Sequence, residues 1–337
     1  MQAIKHHTLC KYGLIVSFLS IVFVISACST DVDVIGNWKE TTVVYGLLNQ
    51  NDSLQYVKVN KAFLGDENAL VMAQEYDSLN YGTELEIVLE RIKNGSVIES
   101  FILQRDTTVV KDNGVFFYPN QVLYKTNQDI YDDSKYTLSV TNTNTGNKVS
   151  ASSTLVKDFA IDKPKSSESV NWNLISSDYK VKWQSAQNGK MHQLNIRFYY
   201  TEKNNTTSVT ENKYIDWVFT TDESNTTDGG EDMEVAIDGQ SFYTFIASMI
   251  AVDPNLTRTI GTLDFTITVA GDDFTTYMDV NQPSTGVLQE KPIYTNIENG
   301  IGLFSSRFSK TISGLSMVTS TQDSIRFGQY TKDLGFQ

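Results

Sequence analysis

Both cysteines of this 337-residue chain, Cys10 and Cys28, lie close to its N-terminus. The residues after Cys28 therefore cannot hold a disulfide, a cysteine-based zinc or iron–sulfur site, or a cysteine nucleophile. That part of the chain must fold on hydrophobic cores alone. Its abundance of tyrosine and phenylalanine, 17 of each, against only five prolines favours β-structure.

The N-terminal segment has the layout of a lipoprotein signal peptide. Lys5 and Lys11 supply positive charge, and an apolar run follows from about residue 13 to about residue 25. That run is shorter than the roughly 20 residues that a membrane-spanning helix needs. It ends in Ile25-Ser-Ala-Cys28, a pattern typical of the lipobox. We expect residues 1–27 to be removed, Cys28 to be acylated with fatty acids such as palmitate, and residues 28–40 to form a tether.

The chain is strongly acidic, with a formal net charge of −13. Nucleic-acid binding needs basic patches that neutralise phosphates, so this charge argues against a nucleic-acid partner. It also argues against peripheral attachment to anionic lipid, so the lipid anchor is the expected contact with a membrane.

Residues 41–158 are predicted to form an N-terminal β-sandwich. Apolar and acidic residues alternate over Glu84–Glu90, which is the period-two pattern of a half-buried strand. Asn94-Gly95 is a favoured two-residue hairpin turn, and another pair of strands flanks Thr145–Asn147. The spacing of Asp132, Tyr136, Leu138 and Val140 is typical of the tyrosine-bearing strand of immunoglobulin-like and transthyretin-like sandwiches.

Residues 159–337 are predicted to form a second β-rich domain, after a polar boundary around Pro164. Long strands are expected at Leu194–Tyr200 and Tyr214–Phe219, joined by an Asn- and Thr-rich turn. One amphipathic helix is expected near residues 240–252, where apolar residues recur on one face at Phe242, Phe245, Ile246, Met249 and Ile250. The predicted fold class is thus mostly β, with two β-sandwich-like domains and one amphipathic helix in the second.

No catalytic residue is predicted. A Ser-His-Asp arrangement needs a histidine, and the one that follows Cys28 is His192, at the start of a predicted strand and without a Gly-x-Ser-x-Gly elbow elsewhere. We expect a packed or solvated histidine there. Paired carboxylates could cleave glycosides, but Glu84, Glu86 and Glu90 lie on the outward face of a strand, where solvation explains them.

Calcium is the metal that the sequence best suits, because Asp228, Glu231 and Asp232 crowd one loop with oxygen ligands. The loop lacks the spaced aspartates of an EF-hand, so an acidic solvated loop is the preferred interpretation and no metal site is predicted. No cofactor is predicted. Gly300-Ile-Gly302 lacks the context of a phosphate-binding loop and predicts a tight bend where backbone packs closely.

Aromatic residues suggest a second kind of site, for a sugar or a peptide. The candidates are Trp172, Trp183, Trp217 and the pair Tyr199-Tyr200. Alternation along the strands instead predicts that most of these rings fill the cores. Both readings remain open at this point.

Several phrases of the sequence together resemble one family. They are Val43–Leu48, Val59–Gly65, Val122–Tyr124, Tyr277–Asn281 and Thr295–Arg307, the last containing Asn-Ile-Glu-Asn-Gly-Ile-Gly-Leu-Phe. They are similar to the DUF4249-like envelope lipoproteins of Bacteroidetes, and the resemblance covers nearly the whole chain after Cys28. It implies an outer-membrane lipoprotein with an N-terminal β-sandwich, on the periplasmic or the cell-surface face, often accompanied by a TonB-dependent outer-membrane receptor.

The resemblance also bears on modification. Triplets beginning at Asp52, Asp77, Asp106 and Asp323 are similar to the O-glycosylation sequon of exported Bacteroidetes proteins, although chance produces such triplets in a chain this rich in Asp, Ser and Thr. If they are used, the glycan is carried by Ser53, Ser78, Thr107 and Ser324.

The function predicted from the sequence is that of a non-enzymatic binding or accessory subunit, anchored in the outer membrane and associated with an envelope protein such as a TonB-dependent transporter. A direct glycan- or peptide-binding protein and an adhesion protein of the cell surface are the alternatives. A hydrolase has no supporting constellation of residues.

Overall fold

The computed structural model describes residues 41–62, 69–173, 178–282 and 293–337, and within them the chain is mostly β. The signal peptide, Cys28 and the tether predicted for residues 1–40 lie outside the described residues. The first half contains β1 (Thr41–Leu48), β2 (Gln55–Ala62), α1 (Ala69–Met72), α2 (Tyr76–Leu79), β3 (Leu85–Lys93), β4 (Ser96–Ile102), β5 (Gln104–Asp106), β6 (Leu123–Thr126), β7 (Lys135–Asn142) and β8 (Lys148–Thr154).

The second half contains longer strands and three longer helices. Its elements are β9 (Ile161–Lys163), β10 (Tyr179–Gln184), β11 (Gly189–Asn204), β12 (Thr210–Val218), β13 (Asp222–Glu223), β14 (Asp232–Ile237), α3 (Gly239–Met249), β15 (Leu256–Gly271), α4 (Asp272–Asn281), β16 (Ile301–Leu315), α5 (Thr319–Phe327) and a 3₁₀-helix (Lys332–Leu334).

The first core lies between the sheet β4–β3–β7–β8 and the part of a larger sheet that carries β1, β2, β6 and β5. Ile87 and Leu89 of β3 are fully buried, as the alternation of Glu84–Glu90 predicted. Asn94 and Gly95 have φ of 52° and 78° and join Lys93 to its partner Ser96, so the predicted hairpin is confirmed. Two residues of positive φ give this turn the twist that matches its strands.

Tyr136, which was predicted to lie on the tyrosine-bearing strand of a sandwich, has the contacts typical of that position. Tyr136 on β7 is fully buried, and its hydroxyl accepts a hydrogen bond of 2.8 Å from the backbone N–H of Tyr131. This link, from a strand tyrosine to backbone a few residues upstream, is the tyrosine corner of immunoglobulin-like sandwiches. It fixes the loop that enters β7 and supports the sandwich-like class of the first half.

The second core lies between the strands β12–β11–β15–β16 and the small sheet β14–β10–β9, with α3 and α5 closing it. Its centre is aromatic: the Trp172 ring stacks on Phe242 with 4.8 Å between centroids and an interplanar angle of 22°. Phe265 of β15 lies on the same tryptophan at 6.4 Å. Such pairs add roughly 0.5–1.5 kcal/mol each beyond the burial of apolar area.

Helix α3 confirms the predicted helix, with a shifted apolar face. Asp238 caps its first turn by accepting a hydrogen bond from the N–H of Gln240, and Phe242, Tyr243 and Ile246 are buried. Met249 is 54% exposed, because the helix ends there and the chain turns so that Ile250 is buried instead. Helices α4 and α5 were not predicted, because their Thr-, Ser- and Asp-rich sequences carry a weak apolar pattern.

Strand β16 joins the two halves. It pairs in parallel with β1 through Val43–Leu48 and antiparallel with β15 from Arg307 onward, so one nine-stranded sheet runs through both cores. Phe304 belongs to the first core, whereas Phe308 and Leu315 belong to the second. Leu155 belongs to the first core and Val156 to the second, and β16 contributes to both.

Candidate functional site

A pocket lies on the outer face of β1 and β2. Val44 of β1 and Val59 of β2 point into the first core. Because successive side chains of a strand point to opposite faces, the residues beside them in the sequence lie on the outer face. Val43 and Tyr45 of β1 and Lys58 of β2 form the floor of the pocket. The floor is rigid, because β1 is held on one side by β16 and on the other by β2.

Two segments rise above this floor. One is α2 with the residues that follow it, and the other is the loop from Thr107 to Val122. The N–H of Phe117 in that loop bonds the carbonyl of Ala73 at 2.8 Å, and the Phe117 ring packs edge-on against Tyr76 at 5.4 Å. The loop closes on itself as the N–H of Lys111 bonds the carbonyl of Pro119 at 2.9 Å. These contacts connect the two walls.

The enclosed space measures about 470 Å³, which is within the size range of small-molecule sites. We call it the lysine pocket, after the three cations among its described lining residues: Lys58, Lys61 and Lys111. The same described lining contains no carboxylate, although the chain as a whole has 40 acidic residues against 27 basic ones. Aromatic rings of Tyr45 and Phe116 contribute apolar surface.

The three ammonium groups differ in their partners. Lys61 donates to the carbonyl of Asp77 at 3.0 Å and lies 5.4 Å from the centroid of the Tyr81 ring. Lys58 and Lys111 form no ion pair with any described residue, and Lys111 lies 5.8 Å from the Phe116 ring. Burial, and then the charge of Lys111, lower the pKa of Lys58. Two cations thus face one space and repel each other, which an anion between them would relieve.

A pair of tyrosines borders the pocket. The Tyr45 ring meets Tyr277 of α4 edge-on at 6.1 Å, and their hydroxyls are 3.3 Å apart. Partial burial and this hydrogen bond raise the pKa of Tyr45 to about 12, so the Tyr45 hydroxyl stays neutral near neutral pH. Tyr45 therefore offers an apolar ring without negative charge.

A second cavity, of about 530 Å³, lies beside the edge strand β4. Lys125 is the charged residue among its described lining, and it is already paired with Asp106 at 2.6 Å. Its other polar groups are uncharged, among them Gln104 and Asn127. The lysine pocket is the better candidate, because its cations have no carboxylate partner in the described part of the chain.

His192 is built into the second core. It is only 1% exposed, lies between the rings of Phe159 and Trp183, and its Nε2 accepts from the N–H of Ala186 at 3.3 Å. Its Nδ1 is 3.2 Å from the carbonyl of Lys190, which suits a neutral ring with the proton on Nδ1. Burial lowers the pKa of His192. The histidine is packed, with both nitrogens engaged by backbone.

Hydrogen bonds to the Glu231 carboxylate organise the acidic loop. The carboxylate accepts from the N–H and the side chain of Asn225 and of Thr226, at 2.7–3.0 Å. These bonds lower the pKa of Glu231 to about 2. Asp232 instead accepts from Gln184 at 2.6 Å. Over the described ranges, no group of three or more His, Cys, Asp or Glu side chains is placed to hold a metal ion, and Asp228, Glu231 and Asp232 form none.

The aromatic candidates for sugar binding are mostly internal. Trp172 and Trp183 are 2% and 1% exposed, and Trp217 packs against Phe219 and Phe245. Tyr200 is buried as well, whereas Tyr199 is half-buried and donates to Asp264 at 3.2 Å. The alternation that predicted core positions is confirmed for the two buried tryptophans and Tyr200.

The four glycosylation candidates differ in accessibility. Ser53 and Thr107 are exposed, and Ser78 is partly exposed in α2. Ser324 lies within α5, where its hydroxyl accepts from the Asn173 side chain at 2.9 Å. The Asp106 carboxylate before Thr107 accepts from both the N–H and the hydroxyl of Thr108. The turn made by these bonds is a structural role for the residues of the Asp106 triplet.

Gly302 forms the predicted close approach. Its φ is 120°, and a Cβ there would lie 2.0 Å from the carbonyl oxygen of Val44 in β1. Just before it, the Asn296 side chain bonds the backbone of Phe304 twice, with Nδ2 to O at 2.7 Å and N to Oδ1 at 2.9 Å. The Gly-Ile-Gly phrase therefore allows β16 to pack onto β1.

Cys28 and the signal peptide fall outside the described residues, so their assignment stays a prediction. Within the part of the chain that the structure describes, no helix is long and apolar enough to cross a membrane.

Sequence reasoning missed the lysine pocket. Lys58 lies on the outward face of a strand, where a lysine is expected to be solvated. Lys111 belongs to a loop that is distant from Lys58 in the sequence. The one local signal is Lys58–Lys61, two cations in a predominantly acidic sequence.

Comparisons with known proteins leave the chain without a family. No protein-family model matches it, and no curated protein matches it. Among solved structures it is similar to a chain described as "Cytokine receptor complex - Crystal form 1A", with a TM-score of 0.21 and 10% sequence identity. That match covers 82% of this chain and 99% of the other. A TM-score this low carries no argument about function.

Proposed function

We propose that this protein is a lipid-anchored protein of the outer membrane whose folded body is a non-enzymatic binding subunit. The observation that carries the proposal is the lysine pocket, a space of about 470 Å³ in which Lys58 and Lys111 form no ion pair with a described residue, over a floor of two strands. Cavities of this size, with a few polar groups in an apolar lining, are the usual form of small-molecule sites.

We propose no catalytic role because of the position of His192. A general base must reach a substrate proton, and this imidazole is buried between two rings with both nitrogens bonded to backbone. The lysine pocket offers charge and shape without an adjacent described carboxylate or histidine. It is suited to holding a ligand.

A pocket-filling substitution tests the binding function. Val43→Trp places an indole on the floor of the lysine pocket, and Val218→Trp, on the exposed face of β12, is the matched control. The full-length protein is purified under native conditions, and denatured extracts are compared by small-molecule mass spectrometry. We expect a compound that copurifies with the wild type and with Val218→Trp and is lost from Val43→Trp. A compound retained equally by all three would place binding elsewhere.

The anchor rests on the Ile25-Ser-Ala-Cys28 phrase. Cys28→Ser should move the protein from the membrane fraction to the soluble fraction while leaving its unfolding transition unchanged, because no cysteine follows Cys28 with which it could form a disulfide. Ser29→Ala is the control for a change beside the site. A Cys28→Ser protein that stays in the membrane fraction after washing with high salt would contradict lipid anchoring.

The partner proposed for the body is an envelope protein such as a TonB-dependent transporter, as the resemblance to DUF4249-like lipoproteins implies. Affinity purification from detergent-solubilised membranes should recover one such protein in stoichiometric amount. Recovery of the protein alone, together with cleavage by protease on intact cells, would favour an adhesion protein of the cell surface instead.

A further inference from the structure

The lysine pocket contains an electrostatic imbalance that defines what it can bind. Lys58 comes from the middle of β2 and Lys111 from the loop above it, and folding brings their charges into one space. Neither ammonium forms an ion pair with a described residue. Like charges brought together in a partly desolvated space raise the free energy of the empty site, so binding of a negative group is favoured there.

The rest of the pocket is suited to an uncharged body. The Tyr45 and Phe116 rings and the Val43 side chain present apolar surface around the cations. Side-chain amides of Asn120 and Gln121 supply a few hydrogen-bonding groups. A hydrated inorganic ion would gain nothing from this apolar surface, whereas an organic body would bury against it at about 25 cal/mol per Å².

We propose that the lysine pocket binds a small organic acid, whose carboxylate lies between Lys58 and Lys111 while its apolar body packs against the Tyr45 ring. This inference rests on the proposed binding function and names the class of its ligand. A lysine is a point charge without the planar fork that selects carboxylate geometry. Selection against inorganic phosphate therefore comes from the apolar lining.

Three probes with one hydrocarbon body separate the contributions: 3-phenylpropionate, 3-phenylpropanol and 3-phenylpropylamine, with inorganic phosphate as the fourth. Each is titrated calorimetrically into the full-length protein and into two variants. Lys58→Met removes the charge and keeps an unbranched side chain of similar length. Lys148→Met makes the same change at an exposed lysine on β8, away from the pocket.

We expect the acid to bind the wild type at least tenfold more tightly than the alcohol or the amine. Lys58→Met should weaken binding of the acid at least tenfold, which is about 1.4 kcal/mol, and leave binding of the alcohol unchanged. Lys148→Met should change neither. A Val43→Trp protein should bind none of the organic probes, which locates the binding in the pocket.

Other results would overturn the inference in distinct ways. An alcohol or an amine that binds the wild type as tightly as the acid, and is blocked by Val43→Trp, would refute the ligand class and leave the binding function standing. Phosphate binding as tightly as the acid would refute the role of the apolar body. Binding of no organic probe, together with no copurifying compound, would refute the binding function itself.

Discussion

The Asn296 side chain takes the place of a missing strand. At Phe304, β16 pairs with β1 on one edge, whereas β15 joins the other edge only from Arg307 onward. Asn296 fills that gap, because its amide donates to the carbonyl of Phe304 and accepts from its N–H, as a neighbouring peptide group would. Asn296→Ala removes both bonds at once.

The magnitude follows from what is left behind. Phe304 is fully buried, so its N–H and carbonyl lose their partners without replacement by bulk water. A buried polar group without a partner costs about 1–3 kcal/mol. With two such groups and partial access of solvent at Asn296, we expect Asn296→Ala to lower the free energy of unfolding by about 2–4 kcal/mol.

Urea unfolding of the full-length protein, followed by tryptophan fluorescence, measures this loss as a shift of the midpoint at unchanged slope. Asn212→Ala is the matched control, because Asn212 is an exposed strand residue whose side chain has no hydrogen bond within the described residues. Surface substitutions of that kind fall within about 0.5 kcal/mol. A loss for Asn296→Ala within that same range would refute the view that the side chain substitutes for a strand.

Three further predictions concern stability. Burial lowers the pKa of His192 in the folded state, so the unfolded state takes up a proton at higher pH than the folded state does. The free energy of unfolding should therefore fall as the pH drops below about 6.5, by at most about 1.4 kcal/mol per pH unit. His192→Gln should reduce this slope when urea unfolding is measured across a series of pH values. Gly302→Ala should cost about 3 kcal/mol or more by strain and clash with a carbonyl of β1, and Gly314→Ala, also at positive φ but with open space, should cost clearly less by the same urea measurement. Arg258→Met should lower the free energy of unfolding by about 3–5 kcal/mol, because Glu202 and a backbone carbonyl near the C-terminus both lose the guanidinium as a partner. In a double-mutant cycle with Glu202→Gln, the two losses should be less than additive, and additive losses would contradict the coupling.

Local signals predicted the local elements. The alternation over Glu84–Glu90 and the Asn94-Gly95 turn specify the β3–β4 hairpin without help from distant residues, because turn geometry fixes the register of neighbouring strands. Helix α3 was predicted from its apolar spacing, and the bend at Gly302 from its glycine content. The hairpin and the helix depend mainly on residues close in the sequence, whereas the glycine content predicted the bend at Gly302 but not its distant partner, Val44 of β1.

Pairing between distant segments could not be predicted in the same way. Nothing in Val43–Leu48 indicates that its parallel partner is Ile301–Ser306, because an apolar strand fits many neighbours. The lysine pocket depends on the same kind of distant meeting, since Lys58 and Lys111 come together only after the loop folds over β2. Helix α5 was missed for another reason: its buried Thr321 and Ile325 acquire an apolar role only through contact with the second core.

The position of β16 in the sheet has a consequence for folding during synthesis. The strand at the centre of the sheet follows both of its neighbours in the chain, so until residues 301–315 are synthesised β1 and β15 each have an unpaired edge. Exposed strand edges are templates for aggregation, and contacts between such distant residues form slowly. A nascent chain of this protein therefore carries two incomplete sheets until residues 301–315 have been made, and a ribosome that stalls before residue 301 releases a product prone to self-association.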